Sequence, residues 1–124
     1  MGTLLIPSGP NADDMHLFVI LNKACAAGQH VMLSISRIKD GQQYDDTCVF
    51  NGGEHDFITQ PSYVRYRKPE QRTSANIANC VHGGLYVPRL PLDKMHFARV
   101  CKGILESPHI RPWLEIYCRD NGVI

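Results

Sequence analysis

A five-residue apolar run, LFVIL at 17–21, constrains the fold of this chain more than any other feature. No polar residue interrupts the run, which favours a central strand buried on both faces. His16 precedes the run and therefore stands at the entrance of the predicted strand. The run is far shorter than the roughly 20 apolar residues that a membrane-spanning helix needs, so we expect no membrane association.

Other short runs predict further strands separated by turns. Residues 30–36 alternate, which places Ser34 and Ser36 on one face of a strand and Ile35 on the other. Shorter strand candidates lie at 3–6, 47–50, 63–66 and 85–87. We expect the first of these to be an edge strand, closed by a turn at 7–10 and followed by a polar loop at 11–14.

Two helices are predicted after the strands. Apolar residues recur at helical spacing over 92–105, which indicates a helix with one apolar face. Ser107 and Pro108 favour the start of a second helix, because serine caps helices and proline fits the first turn. That helix should end near Gly122 and point one apolar stripe inward, which comprises Ile110, Trp113, Ile116 and Tyr117. Short strands followed by helices predict one α+β domain, residues 1–124, around a small, strongly curved antiparallel sheet.

The charge balance gives no global electrostatic preference for a partner. The formal net charge is +1 and charged residues make up 20% of the chain, so any nucleic-acid binding must come from a local patch. Five widely spaced cysteines, with no export signal at the N-terminus, favour reduced thiols and a cytoplasmic location. No paired metal-ligand motif is visible, so we expect neither a metal site nor a cofactor.

Polar and titratable side chains are concentrated between 46 and 66, where the sequence reads DTCVFNGGEHDFITQPSYVRY. Gly52 and Gly53 mark a turn within this segment. Such a density of polar groups between strand-like runs is typical of a site built from loops on a small β scaffold. The pattern indicates a functional site but does not specify its reaction.

Several segments, taken in order, resemble the PemK-like or MazF-like toxins of type II toxin–antitoxin systems. The resemblance rests on HLFVIL, a strand ending in Ser36 and Arg37, the segments DTC, GGEHDFI and PSYVRY, and a helical tail containing SPHI. The usual N-terminal Gly-Asp-Ile-Val and the Arg-Pro before the apolar strand are absent. His16 stands about where that arginine would be, and Ser36 about where a strand-end threonine would be.

This resemblance implies an SH3-like β-barrel, a homodimer, metal-independent cleavage of single-stranded RNA and neutralisation by a cognate antitoxin. Such cleavage requires a base for the 2′-hydroxyl proton, an acid for the leaving 5′-oxygen and donors for the charged phosphorane. His16 and His55 titrate in the useful range, and Ser36 completes the candidate catalytic set. The candidate substrate-binding residues supply hydroxyl groups, guanidinium groups and aromatic rings, and they are Arg37, Ser62, Tyr63, Arg65 and Tyr66.

Each candidate also has a purely structural explanation. His16 could pair with a carbonyl, His55 could tie its own loop, and Arg65 could lie on an ordinary solvated strand face. Two other functions stay open: a non-catalytic protein- or nucleic-acid-binding module, which the missing Arg-Pro favours, and a cysteine enzyme using Cys48 with His55. For the ribonuclease we expect His16, Ser36 and His55 to converge on one concave surface.

Overall fold

A computed structural model describes residues 2–8 and 14–124. Residues 9–13, which carry most of the turn and polar loop predicted at 7–14, lie outside the described part. Within the described residues, seven strands and three helices follow in the order β1 (Thr3–Pro7), β2 (Met15–Ile20), β3 (Gln29–Arg37), β4 (Val49–Phe50), β5 (Ser62–Val64), β6 (Glu70–Thr73), α1 (Ser74–His82), β7 (Val87–Arg89), α2 (Lys94–Glu106) and α3 (Pro112–Asp120).

The seven strands form one antiparallel sheet in which β3 is the longest strand. Its first half pairs with β6 and its second half with β5, on the same side of β3. On its other side β3 pairs with β2, which pairs with β1, and β1 pairs with β7. The spatial order is β4-β5-β3-β2-β1-β7, with β6 beside β3.

The sheet is open, so the predicted SH3-like barrel is wrong. A closed barrel requires its two outermost strands to pair with each other, but β4 pairs only with β5 and β7 only with β1 among the described strands. These edge strands are two and three residues long, and Pro88 in β7 has no backbone N–H to donate. Helices cover the sheet instead, and the broader prediction of an α+β fold agrees with this arrangement.

Both faces of the sheet are buried, as the apolar run at 17–21 predicts. Leu17 and Val19 of β2 belong to the larger core, which includes Val100 and Ile104 of α2. Phe18 points to the opposite face, where α1 packs against a smaller core. The strand predicted at 3–6 is also present, but it lies between β2 and β7 and is not an edge strand. Its edge position was mispredicted because β7 reaches it from a distant part of the chain.

The helix predicted over 92–105 corresponds to α2. Asp93 caps its N-terminus by accepting a hydrogen bond from the backbone N–H of His96. Val100 and Ile104, four positions apart, face the core. None of the helices in the described part of the chain has the length and apolar character needed to cross a membrane.

The last helix begins later and faces differently from the prediction. Ser107 ends α2 and its hydroxyl donates to Asp45, so it does not cap a following helix. Helix α3 starts at Pro112 and buries Leu114 and Cys118. Trp113 is 42% exposed, which contradicts its predicted burial. Of the predicted stripe, Ile110 and Tyr117 do pack against the larger core, but Trp113 and Ile116 are exposed.

Strand β6 and helix α1 were not predicted. The segment at 70–82 is rich in polar residues, and its apolar positions Ile77, Cys80 and Val81 are only partly buried. Thr73 begins α1 by accepting a hydrogen bond from the backbone N–H of Asn76. A weak apolar stripe on a short helix gives little periodic signal.

Candidate functional site

A cleft of about 640 Å³ opens at the end of the sheet where β2 begins and β3 ends. Antiparallel pairing brings these ends together, because Leu17 near the start of β2 faces Ile35 near the end of β3. Strand β5 adds a third wall. We call this space the main cleft, and it collects six of the eight predicted site residues: His16, Ser36, Arg37, Ser62, Tyr63 and Arg65.

His16 is held in place at one ring nitrogen. Its Nδ1 shares a hydrogen bond with the hydroxyl of Ser8, the residue that follows β1. The other ring nitrogen, Nε2, has no hydrogen-bond partner among residues 2–8 and 14–124. Burial and then the Arg65 guanidinium lower the pKa of His16 from its ordinary 6.5, outweighing the opposite effect of Asp14. The imidazole is therefore mostly neutral at pH 7, and in the tautomer whose Nδ1–H donates to Ser8 its Nε2 can accept a proton.

The charge lining the main cleft is predominantly positive. Arg37, Lys39 and Arg65 face it, against a single carboxylate from Asp14. None of the three cations forms an ion pair within the described chain. Because the whole chain has a net charge of only +1, three cations at one cleft form a distinct local patch. Unpaired guanidinium groups in a concave site suit the oxygens of a phosphate or carboxylate.

The three predicted hydroxyl donors differ in their availability. Ser36 pairs with Tyr63 in the β3–β5 register, so both side chains lie on the same face of the sheet. The hydroxyl of Ser62 instead donates to the carbonyl of Gln60, and the residue is buried. Ser62 therefore shapes the neighbouring loop, whereas Ser36 and Tyr63 remain able to donate to a ligand.

His55 does not reach the main cleft, so the predicted convergence with His16 and Ser36 is wrong for this residue. Its side chain is only 3% exposed. Nε2 donates to the carbonyl of Leu90 at 2.6 Å, and Nδ1 accepts from the backbone N–H of Phe57 at 3.1 Å. Nδ1 also lies 3.0 Å from a carboxylate oxygen of Asp56, so both ring nitrogens are already engaged within the fold. His55 ties its own loop to the segment after β7, as its structural explanation supposed.

Tyr66 is also displaced from the predicted site. It is completely buried, and its hydroxyl donates to the carbonyl of Val100 in α2 at 2.7 Å. Burial raises the pKa of this phenol above its ordinary value of 10.0. Gly103 makes room for the ring, because a Cβ at that position would lie 1.9 Å from the tyrosine oxygen. Tyr66 shares the inward face of its segment with Val64, two residues earlier, and joins the sheet to α2.

The cysteine-enzyme hypothesis has no geometric support. Cys48 is buried, and burial raises the pKa of its thiol, which disfavours the nucleophilic thiolate. Its proposed base, His55, has both ring nitrogens committed to other partners. Cys48 forms part of the larger core instead.

Two residues of the cleft, Phe57 and Lys39, and one residue beside it, Ser8, escaped sequence reasoning. Ser8 comes from the far end of a strand pair, and its proximity to His16 depends on the β1–β2 register. Phe57 and Lys39 line the cleft, and Phe57 is 37% exposed. An exposed aromatic ring beside a predicted site is a signal that could have identified Phe57. Lys39 lies in a loop, where no periodic pattern indicates its direction.

Within the described residues, no three His, Cys, Asp or Glu side chains come together as a group that could hold a metal ion. No family model matches the chain, and neither a curated protein nor a solved structure matches it.

Proposed function

We propose that the main cleft binds single-stranded RNA and cleaves it without a metal ion, with His16 as the general base. The observation that carries this proposal is the imidazole of His16 lining the main cleft beside the guanidinium of Arg65, which forms no ion pair within residues 2–8 and 14–124. A proton acceptor and a phosphate-binding cation are two of the groups that transesterification at a ribose phosphate requires. Phe57 and Tyr63 supply exposed aromatic surface on which bases can stack.

The reaction proceeds by attack of the RNA on its own backbone. Nε2 of His16 takes the proton of a 2′-hydroxyl, and the resulting oxygen attacks the adjacent phosphorus. Arg65 and Arg37 neutralise the charge of the phosphorane, and the Ser36 hydroxyl donates to one of its oxygens. The bond to the 5′-oxygen then breaks, and the Tyr63 hydroxyl protonates that oxygen. The products are a 2′,3′-cyclic phosphate and a 5′-hydroxyl end.

The test uses purified protein and a long single-stranded RNA, with and without EDTA. We expect cleavage in both conditions and 2′,3′-cyclic phosphate ends on the fragments. His16→Ala should lower the rate by roughly 100-fold or more. His82→Ala is the matched control, because His82 is an exposed residue of α1 outside the main cleft. Equal rates for wild type and His16→Ala would remove His16 from its role.

A second candidate function is that of a binding module without catalytic activity. The burial of His55 favours it, because no second histidine lines the main cleft to protonate the leaving oxygen. Such a module would bind the same RNA through Arg65 and the aromatic rings. Tight RNA binding by the wild type with no fragment formation would support the module and overturn the ribonuclease.

The proposal includes a cytoplasmic location, where cellular RNA is present, and neutralisation by an antitoxin protein that covers the main cleft. All five cysteines are unpaired, which suits a reducing compartment. We also propose a homodimer, for which the exposed apolar side chains of α2 and α3 provide a surface: Leu105, Trp113 and Ile116. Light scattering on the wild type and on Ile116→Asp tests this association, and a monomeric wild type would contradict it.

A further inference from the structure

A second cleft of about 300 Å³ adjoins the main cleft. Tyr63 and Arg65 line both spaces and form the wall between them. The far side of this second cleft carries Arg67, Lys68 and His109. A chain that passes Arg65 in the main cleft therefore meets a second binding surface without leaving the protein.

The second cleft is also positively charged. Arg67 and Lys68 are exposed, and neither forms an ion pair with a carboxylate in the described part of the chain. The guanidinium of Arg67 donates to Nδ1 of His109 at 2.8 Å, which fixes its position. This contact uses one N–H group of the guanidinium, which keeps its charge and its other donors for an anion.

The one carboxylate of the second cleft is engaged elsewhere. Asp45 accepts hydrogen bonds from the hydroxyl groups of Thr47 and Ser107, each at 2.5 Å. Burial opposes ionisation of Asp45, but these hydrogen bonds prevail and lower the pKa of its carboxyl group. Asp45 anchors the end of α2 and does not pair with Arg67 or Lys68. The two cations thus remain available.

An aromatic pair lies beside these cations. The rings of Tyr44 and Tyr63 have centroids 5.4 Å apart and planes inclined by 42°. Tyr44 is 42% exposed, so part of its ring faces the solvent. A nucleobase can stack on such a ring, whichever base it is, because every base has a flat π-face.

We infer that the second cleft is a separate subsite for the flanking nucleotide of the same RNA strand. Arg67 and Lys68 hold its phosphate, and the Tyr44–Tyr63 pair holds its base. This subsite rests on the proposed RNA-binding function of the main cleft, and it adds a length requirement. An RNA long enough to fill both clefts binds more tightly than one that fills only the main cleft.

The test compares a dinucleotide with an oligonucleotide of about eight nucleotides. Both are 2′-O-methyl RNA, which cannot be cleaved through the 2′-oxygen, and binding is followed by NMR titration at several salt concentrations. We expect the longer RNA to bind more tightly to the wild type. Arg67→Gln/Lys68→Gln should weaken its binding roughly tenfold and reduce the salt slope by about 1.4, while dinucleotide binding stays unchanged. Tyr44→Leu should weaken the binding of the longer RNA and leave the binding of the dinucleotide unchanged.

A matched control removes the same number of charges outside both clefts, as Lys23→Gln/Lys94→Gln, and should leave the affinity for the longer RNA unchanged. If the control weakens binding as much as Arg67→Gln/Lys68→Gln does, the loss of affinity comes from the lower net charge of the protein and not from the second cleft. That result refutes the subsite. Wild-type protein that binds the dinucleotide and gains nothing with length also refutes the subsite alone. Wild-type protein that binds neither RNA refutes the proposed function together with it.

Discussion

The main cleft and the buried interior of the protein both contain polar side chains, but the two regions differ in whether those side chains have partners within the fold. In the interior, Tyr66 at the sheet–α2 interface and His55 in the loop before β5 are buried, and every polar atom of their side chains has a backbone partner. In the main cleft, His16 keeps one ring nitrogen free of described partners, and Arg65 forms no ion pair with any residue that the structure describes. A buried polar group must be satisfied within the fold, whereas an unsatisfied one at a cleft can act on a ligand. The contrast separates structural from functional candidates.

The largest loss of stability should come from adding a methyl group at the sheet–α2 interface. Gly103→Ala would place a methyl group 1.9 Å from the Tyr66 oxygen, so ring or helix must move. We expect the free energy of unfolding to fall by roughly 3 kcal/mol, at the upper end for overpacking. Urea unfolding measures this loss. Tyr66→Phe should cost only about 1 kcal/mol, because it removes one hydrogen bond and keeps the packing. A stable Gly103→Ala variant would contradict the tight fit.

His55→Ala tests whether His55 has a structural role and no catalytic one. The variant leaves the backbone N–H of Phe57 without its acceptor, and we expect a loss of about 1–2 kcal/mol in the free energy of unfolding. The carbonyl of Leu90 keeps a second donor, the hydroxyl of Thr3, which limits the cost. Cleavage of RNA at matched folded concentration should stay near the wild-type rate. A stable variant that has lost cleavage would return His55 to the catalytic set.

Arg65→Gln tests whether Arg65 contributes to RNA binding and not to stability. Its guanidinium has no ion pair in the described structure, so we expect the free energy of unfolding to stay within about 0.5 kcal/mol of wild type. RNA affinity should fall, and the salt slope of binding should decrease by about 0.7 for one lost phosphate contact. Fluorescence anisotropy at several salt concentrations measures both. Lys23→Gln serves as the control for a charge lost elsewhere.

The smallest expected effect is the contribution of His16 to the pH dependence of the free energy of unfolding. The pKa of His16 is lower in the folded protein than its ordinary 6.5, so the unfolded chain binds more protons between these two values. The free energy of unfolding of the wild type should therefore decrease as the pH falls below 6.5, and above 6.5 it should be independent of this group. His16→Gln should lack that decrease. Parallel pH-dependent slopes for the two proteins would show that the His16 pKa is not perturbed.

The sequence predicted the parts of the fold whose burial is periodic or continuous. The strand at 17–21 and the helix over 92–105 follow from the apolar run and the apolar face. The open sheet could not be predicted, because closure depends on whether distant edge strands meet. The face of α3 was also missed, since Cys118 and Leu114 make the inward stripe and Trp113 does not.

The candidate site was partly predictable for a similar reason. Residue types and the ends of predicted strands identified His16, Ser36 and Arg65, which the β2–β3–β5 register then brings to one cleft. Tyr66 could have been excluded, because period two puts it on the inward face with Val64. The burial of His55 depends on a contact with Leu90, 35 residues away, that no local pattern encodes.

The most direct test of the account is the pH dependence of kcat/KM for RNA cleavage, which reports the ionisation of groups in the free protein. A neutral His16 that takes the 2′-hydroxyl proton predicts a rate that rises with pH and levels off, with a midpoint below 6.5. His16→Ala should lose this rise together with most of the rate. A wild-type midpoint clearly above 6.5, or a rise that persists unchanged in His16→Ala, would contradict the assignment of His16 as the base.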